Sequence, residues 1–296
     1  MADLLAPLGS HRARLRELLA GPGPVVAPGA YDALSARLVE LAGFDVAYMT
    51  GFGTTASLLG RPDVGLLGGA EMVDNARRMA AVLDVPLIAD ADTGYGNPIN
   101  VIRTVREYEQ AGVAGLHLED QVMPKKCGHL AGKEVVAVGD MVAKVRAAVD
   151  ARTDPDLVVI ARTDVAATEG VDAAIERARR FADAGADLLF VEAPTSEAEI
   201  ETVARALDGH RLVFNWAEGG RTPPLSLERL GEMGFALVLF PVGTLLAATA
   251  GMRSLLERVR VDGTPAAVLA ALGGLDAFTH LVGIDEVRDL ENRYRE

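Results

Sequence analysis

The chain has 296 residues, half of them hydrophobic, which is ample for a large buried core. Its 29 basic and 42 acidic residues leave a net charge of −13, a balance that argues against nucleic acid and anionic membrane surfaces as partners. One cysteine cannot form an internal disulfide, Met1–Arg16 has no basic region ahead of an apolar one, and no apolar run reaches the ~20 residues of a membrane helix, so a cytoplasmic protein is expected.

In chain order, His11–Ala20 reads as a leading helix ended by Gly21-Pro22-Gly23-Pro24. A strand–helix rhythm follows. Pro24–Ala27 is a short apolar run with a helical pattern over Ala33–Ala42 behind it, and Asp45–Met49 leads into a glycine-rich segment and a helix at Ala70–Leu83. Pro86–Ala89, Gly115–Leu118, Leu157–Ala161, Asp187–Val191, Arg211–Phe214 and Ala236–Phe240 are the remaining strands, each with a helical pattern behind it. The strands are continuously apolar, as expected when a parallel sheet is covered on both faces. Helices end in Ala42-Gly43, Ala111-Gly112, Ala184-Gly185 and Met233-Gly234, where glycine allows the left-handed turn into the next strand. Eight such units predict a single (β/α)8 TIM barrel domain over 1–296, with 1–23 a leading helix segment and 262–296 a helical extension. Two more helices, Pro265–Leu272 and Asp276–Arg295, are expected there, with Gly273-Gly274 a hinge between them.

Barrel enzymes carry their chemistry at the C-terminal ends of the strands. Here Thr50, Asp90, Asp92, Glu119, Arg162, Glu192 and Asn215 fall at those ends. Four carboxylates on one rim with one arginine call for a cation, and oxygen-only donors suit Mg²⁺, with Mn²⁺ as the alternative. Asp63 can reach the same ion through water. Arg162 either pairs bidentately with a substrate carboxylate or makes a structural ion pair. His117 reads as a packed histidine rather than a catalyst. The segment Lys125-Lys126-Cys127-Gly128-His129 follows the fourth strand as a polar loop of the kind that closes over substrates, and a thiol between cations suits proton transfer.

Taken together and in order, DADTGYG, HLEDQ, KKCGH and ARTD resemble the isocitrate lyase/phosphoenolpyruvate mutase superfamily over nearly the whole chain. The resemblance implies a barrel enzyme, a homotetramer whose eighth helix is swapped between paired subunits, and Mg²⁺-dependent chemistry through an enolate. It implies Asp90 on the ion, with Asp92, Glu119 and Asp63 holding its waters. Thr50, Gly51 and Phe52 would receive a carboxylate, Arg162 the oxo-acid moiety, and Tyr48 would stand beside the reacting oxygen. Cys127 would protonate the carbanion, with Lys125, Gly128 and His129 shaping its loop and Glu192 and Asn215 completing the pocket. HLAGKEVV is similar to 2,3-dimethylmalate lyases and oxaloacetate hydrolases, and Asn215-Trp216-Ala217-Glu218-Gly219-Gly220 to the 2,3-dimethylmalate lyase pattern. Methylisocitrate lyases carry Thr where this chain has Ala217 and Arg where it has Leu246, so a dicarboxylate substrate is expected over a tricarboxylate. The expected reaction is C–C cleavage of a 2-hydroxy dicarboxylate to an α-oxo acid and a carboxylic acid, with a phosphonomutase or an oxaloacetate hydrolase as the alternatives.

Overall fold

The computed structural model describes residues 4, 5, 9, 11–128 and 132–295, and these divide into two compact units, the first up to residue 244 and the second from 245 on, which also takes in residues 4 and 5. In the first, eight parallel strands run β1 (Val25–Ala30), β2 (Ala47–Met49), β3 (Leu87–Asp90), β4 (Gly115–Glu119), β5 (Val158–Thr163), β6 (Leu188–Val191), β7 (Leu212–Asn215) and β8 (Phe235–Phe240). Each pairs with the next, and β8 pairs back onto β1 to close the barrel. The helices between them are α2 (Ala33–Leu41), α3 (Gly51–Leu59), α4 (Gly69–Ala80), α5 (Pro98–Gln110), α6 (Val138–Ala151), α7 (Ala166–Glu169), α8 (Val171–Asp183), α9 (Glu197–Ala206) and α10 (Leu227–Glu232), with α1 (Arg12–Leu19) ahead of β1.

Local chemistry sets these limits. Asn97 accepts from the N–H groups of Ile99 (2.9 Å) and Asn100 (3.2 Å), and Pro98 follows at the first helical position, so α5 starts where its cap is. Asp32 and Ser35 form a reciprocal capping box at the start of α2. Helix α3 is not legible from periodicity: Gly51, Phe52 and Gly53 are poor helix formers, and the helix rests on Thr50, whose Oγ1 accepts from the Gly53 N–H (3.3 Å).

The pleat sends alternate side chains to opposite faces. One set packs with the helices in the main core. The other fills the barrel interior: Val46 and Tyr48, Ile88, Val158 and Ile160, Leu188 and Phe190, Val213, and Leu237 and Leu239. Leu15 and Leu19 of α1 join this interior cluster, so the leading helix plugs the N-terminal end of the barrel. Gly115 makes room for that plug, since a Cβ there would stand 3.1 Å from Val158 Cβ and 3.3 Å from Leu15 Cδ2. Continuing the same alternation by two residues brings Asp90, Glu119, Arg162, Glu192 and Asn215 to the other end.

Helix α11 (Gly243–Asp262) begins in the first unit and continues into the second. The second unit then has a 3₁₀ segment, Ala266–Leu272, and helices α12 (Gly274–Leu281) and α13 (Ile284–Arg293). The expected last helix, Asp276–Arg295, is thus divided at Gly283, which takes φ 91°. Ala266–Arg293 has the length and composition of a membrane span, but Gly273, Gly274 and Gly283 break it into pieces of 7, 8 and 10 residues, well below the ~20 a bilayer needs.

Candidate active site

The strand ends converge on one pocket. Tyr48, Thr50, Phe52, Asp63, Asp90, Glu119, Lys125, Cys127, Gly128, Arg162 and Asn215 all line it, together with Ala217. It encloses about 50 Å³, space for only a few waters, because the segment after β4 lies over it. Two wider hollows, of about 680 and 670 Å³, lie at the opposite end of the barrel, away from the carboxylates.

The cationic and anionic groups interlock. Lys125 Nζ stands 2.7 Å from Asp63 and 2.6 Å from Asp92 Oδ1, with all three side chains buried. Burial would lower the Lys125 ammonium, but Asp92, Asp90, Glu119 and Asp63 together hold its pKa well above the ordinary value. Burial pushes the Asp92 carboxyl up to about 6 against the pull of Lys125, with Asp90 and Asp63 adding to the rise. Asp90 goes the other way. Burial opposes ionisation there too, yet His117, Lys125, Arg162 and the Asp92 N–H bring it below the usual carboxylate value. Burial raises Glu119 well above its ordinary value despite Arg162.

His117 is fully buried, and burial lowers its pKa, which keeps the ring neutral near pH 7. Its Nε2 lies 2.8 Å from Tyr48 Oη and 3.5 Å from Asp90 Oδ1. With the proton on Nε2, one N–H faces both oxygens and the Tyr48 hydroxyl is left to turn into the pocket. The histidine is packed, edge-on to Phe190, rather than exposed to the site.

Arg162 makes the ion pair that was one of its two expected roles. Its Nε and Nη2 donate to Asp164 Oδ2 (2.9 Å) and Oδ1 (3.0 Å), and Glu119 (3.4 Å) and Glu192 (3.5 Å) flank it. The guanidinium still lines the pocket, so the same fork that grips Asp164 presents its remaining donor edge to a ligand. Glu192 is fully buried behind it and accepts from Asn215 Nδ2 at 3.1 and 3.2 Å. Gly51 points its N–H at Asp90 Oδ2 (3.2 Å). The neighbouring Asp120 faces away from the pocket and takes hydrogen bonds from Thr163 (2.6 Å) and the Asp164 N–H (2.9 Å). His129 lies outside the described residues.

The sequence reading passed over several residues that shape this site. Asp164 lies two residues beyond Arg162, a spacing that could have signalled a same-side partner. Gln121 clamps Lys126 from both sides, its Nε2 on the Lys126 carbonyl (2.8 Å) and its Oε1 on the N–H (2.9 Å). Tyr95 donates to Asp92 Oδ2 (3.1 Å) from behind. Lys133 reaches Asp164 (3.0 Å) and the Gly128 carbonyl. Nothing in the local sequence signals that last pairing.

A model of the phosphoenolpyruvate phosphomutase family matches residues 15–260. The 2,3-dimethylmalate lyase of Eubacterium barkeri is 46% identical over 282 residues, covering 95% of this chain and 97% of that one. The chain belongs to the PEP mutase/isocitrate lyase superfamily. A crystal structure of a 2,3-dimethylmalate lyase in the superfamily superimposes with a TM-score of 0.90 at 41% identity, covering 97% of this chain and 96% of that one. A phosphonopyruvate hydrolase, solved as a complex with oxalate and Mg²⁺, superimposes with a TM-score of 0.88 at 31% identity over 97% and 99%.

The donor set of this superfamily member can be tested against a metal ion directly. Among the described residues, no three His, Cys, Asp or Glu side chains approach closely enough to ligate one ion together. A fully protein-ligated ion is therefore a poor fit. An ion that keeps most of its waters fits well: Asp63, Asp90 and Glu119 are buried and line one pocket, with Asp92 buried behind Lys125. Glu119 Oε1 is buried with no hydrogen-bond partner, and the partner of Asp92 Oδ1 is the Lys125 ammonium, at 2.6 Å. A buried oxygen left without a partner is suited to accept from an ion's water shell.

Proposed function

We propose that this protein is a Mg²⁺-dependent carbon–carbon lyase that cleaves a 2-hydroxy dicarboxylate to an α-oxo acid and a carboxylic acid. The observation that carries this reading is the convergence of a carboxylate set, an arginine and a thiol on one small pocket. Asp90 would hold Mg²⁺ directly, with Asp63, Asp92 and Glu119 holding its waters. Bound there, the ion supplies Lewis-acid stabilisation of negative charge on the substrate oxygens.

The chain's own residues do the rest. Arg162 would bind the carboxylate of the oxo-acid half, held in plane by Asp164. The N-terminus of α3, with Thr50, Gly51 and Phe52, would receive the other carboxylate. Tyr48 would stand beside the 2-hydroxyl. That hydroxyl would pass its proton, directly or through water, to the Glu119 carboxylate, its C–O bond would become C=O, and the C2–C3 electron pair would pass to the departing carboxylic-acid fragment. Cys127 would hand that carbanion its proton, with Lys125, Gly128 and His129 shaping the loop, and closure would keep water from competing. Ala217 supports a dicarboxylate, since it offers a third carboxylate no partner, and an unpaired buried carboxylate is costly. The exposed apolar side chains of the second unit, Leu256, Leu269, Leu275 and Phe278 among them, support assembly into a cytoplasmic homotetramer, the eighth helix swapped between subunits.

The test is α-oxo acid release from a panel of 2-substituted malates, methylisocitrate, isocitrate, oxaloacetate and phosphonopyruvate with Mg²⁺ present. Cleavage of a substituted malate, lost in Cys127→Ser while Mg²⁺-dependent oxalate binding persists, is the expected outcome. Turnover of phosphonopyruvate alone would overturn it, and full activity of Cys127→Ser would remove the thiol from the reaction.

A further inference from the structure

The segment between β4 and α6 leaves the barrel and returns to it. Its base is closed by backbone pairing: the Val122 N–H donates to the Glu134 carbonyl and the Val136 N–H to the Asp120 carbonyl, each at 2.8 Å, around a Gln121–Val135 bridge. Inside that base the thiol-bearing arm is tied at several points, beginning with Lys125 held between Asp63 (2.7 Å) and Asp92 (2.6 Å). Gln121 clamps Lys126, and the Cys127 N–H donates to the Asp63 carbonyl (3.1 Å). The returning arm adds two more: the Gly132 carbonyl accepts from Lys126 Nζ, and Lys133 Nζ donates to the Gly128 carbonyl.

The Lys133 tie is the unusual one. Lys133 is 6% exposed, and a lysine is buried so deeply only when its charge is met. Its counter-charge is Asp164 Oδ1, at 3.0 Å. The same Oδ1 accepts from Arg162 Nη2. One carboxylate therefore joins the loop's ammonium to the guanidinium beneath the loop. Gly128 sits directly on that guanidinium and on Glu192.

We propose that Lys133 is a positioning residue that latches the Cys127 loop shut, by tying the Gly128 carbonyl to the Asp164 carboxylate that orients Arg162. The inference rests on the proposed lyase reading for the role of the thiol, but the latch itself is a property of the loop. It makes closure conditional on the arrangement of Arg162 and Asp164. With the latch made, Cys127 is held over the pocket at the end of a chain of three side chains. When Lys133 leaves Asp164, the Gly128 end of the arm loses its tie to the guanidinium, while Lys125 and Lys126 stay attached to Asp63, Asp92 and Gln121.

The experiment reads the loop apart from catalysis. Cys127 is the only cysteine, so modification of the full-length protein by a thiol-reactive disulfide reports on that residue alone. Lys133→Met, which keeps the stem and removes the charge, is expected to raise the modification rate by about tenfold or more. Mg²⁺ with oxalate should slow the reaction in the native protein and protect the variant much less. Once a substrate is found, kcat should fall by about 10–100-fold with KM within about threefold, a split expected when the delivering group moves and the binding groups stay. Lys133→Arg should restore part of both readouts. Should Lys133→Met not fold, Lys133→Gln takes its place.

A modification rate within twofold of the native protein would overturn the latch. So would hydrogen exchange that quickens equally in the barrel strands and the loop, because Lys133 would then support the barrel at large. Faster modification in a protein that cleaves no substituted malate would leave the latch standing and refute the lyase reading instead.

Discussion

Replacing Gly128 with alanine tests how tightly the loop must seat. An added Cβ would stand 2.7 Å from Glu192 Cγ and 2.8 Å from Glu192 Cδ, and nearer still to Arg162 Nη2. Ordinary carbon contacts begin near ~3.5 Å, so something must shift by most of an ångström. The floor cannot give way cheaply. Arg162 is pinned by Asp164, and Glu192 is fully buried and held by Asn215. The loop is therefore the part that moves, carrying the neighbouring Cys127 outward by roughly 1 Å. A displacement of that size costs about 10²-fold in rate, or ~2.7 kcal/mol of barrel-site barrier at 1.36 kcal/mol per decade. Gly128 is not among the glycines at positive φ, so alanine adds contact without backbone strain. The assay is steady-state α-oxo acid release alongside thermal unfolding. The expectation is kcat lower by about two decades with an unchanged unfolding midpoint. A kcat within threefold of the native enzyme would refute the close-seating argument, and a large fall in the midpoint would refute the claim that only the loop moves.

Other consequences follow from the same geometry. Asp92 titrates near 6 in the metal-free site. Below that pH an ion must displace its proton, so Mg²⁺ affinity measured calorimetrically should weaken as pH falls through about 6, with the raised Glu119 carboxyl adding to the loss; a flat profile from pH 7 down to 5 would exclude Asp92 from the ion's shell. Tyr95→Phe removes the hydroxyl that donates to Asp92 Oδ2, and should weaken Mg²⁺ binding by about tenfold with the fold intact; unchanged affinity would count against Tyr95 as its support. Glu218 accepts from the Val242 (3.0 Å) and Gly243 (2.8 Å) N–H groups where α11 begins. Glu218→Ala should cost about 1 kcal/mol and lower the unfolding midpoint by ~3 °C, as loss of a helix cap does; no change in the midpoint would show that water replaces the carboxylate.

Much of this could be read in the sequence. The eight strands are short apolar runs, six of which lead into a polar residue, and four of the helices end in glycine, so the barrel and the rim are local signals repeated along the chain. The alternation of a strand also separates His117 and Glu119 from Asp120, because residues two apart share a face. Helix α3 was not legible, since it depends on a threonine cap and on packing rather than on helix-forming residues.

Sequence alone thus determined which residues stand at the strand ends, because strand length and pleat are set by neighbours in the chain. Only the tertiary structure decided how they pair. Lys125 reaches Asp63 across 62 positions, and Lys133 reaches Asp164 across 31. Such pairings depend on where a loop falls once the barrel has closed. A buried charge accepts whichever partner that closure brings within reach, and no periodicity in the chain encodes it.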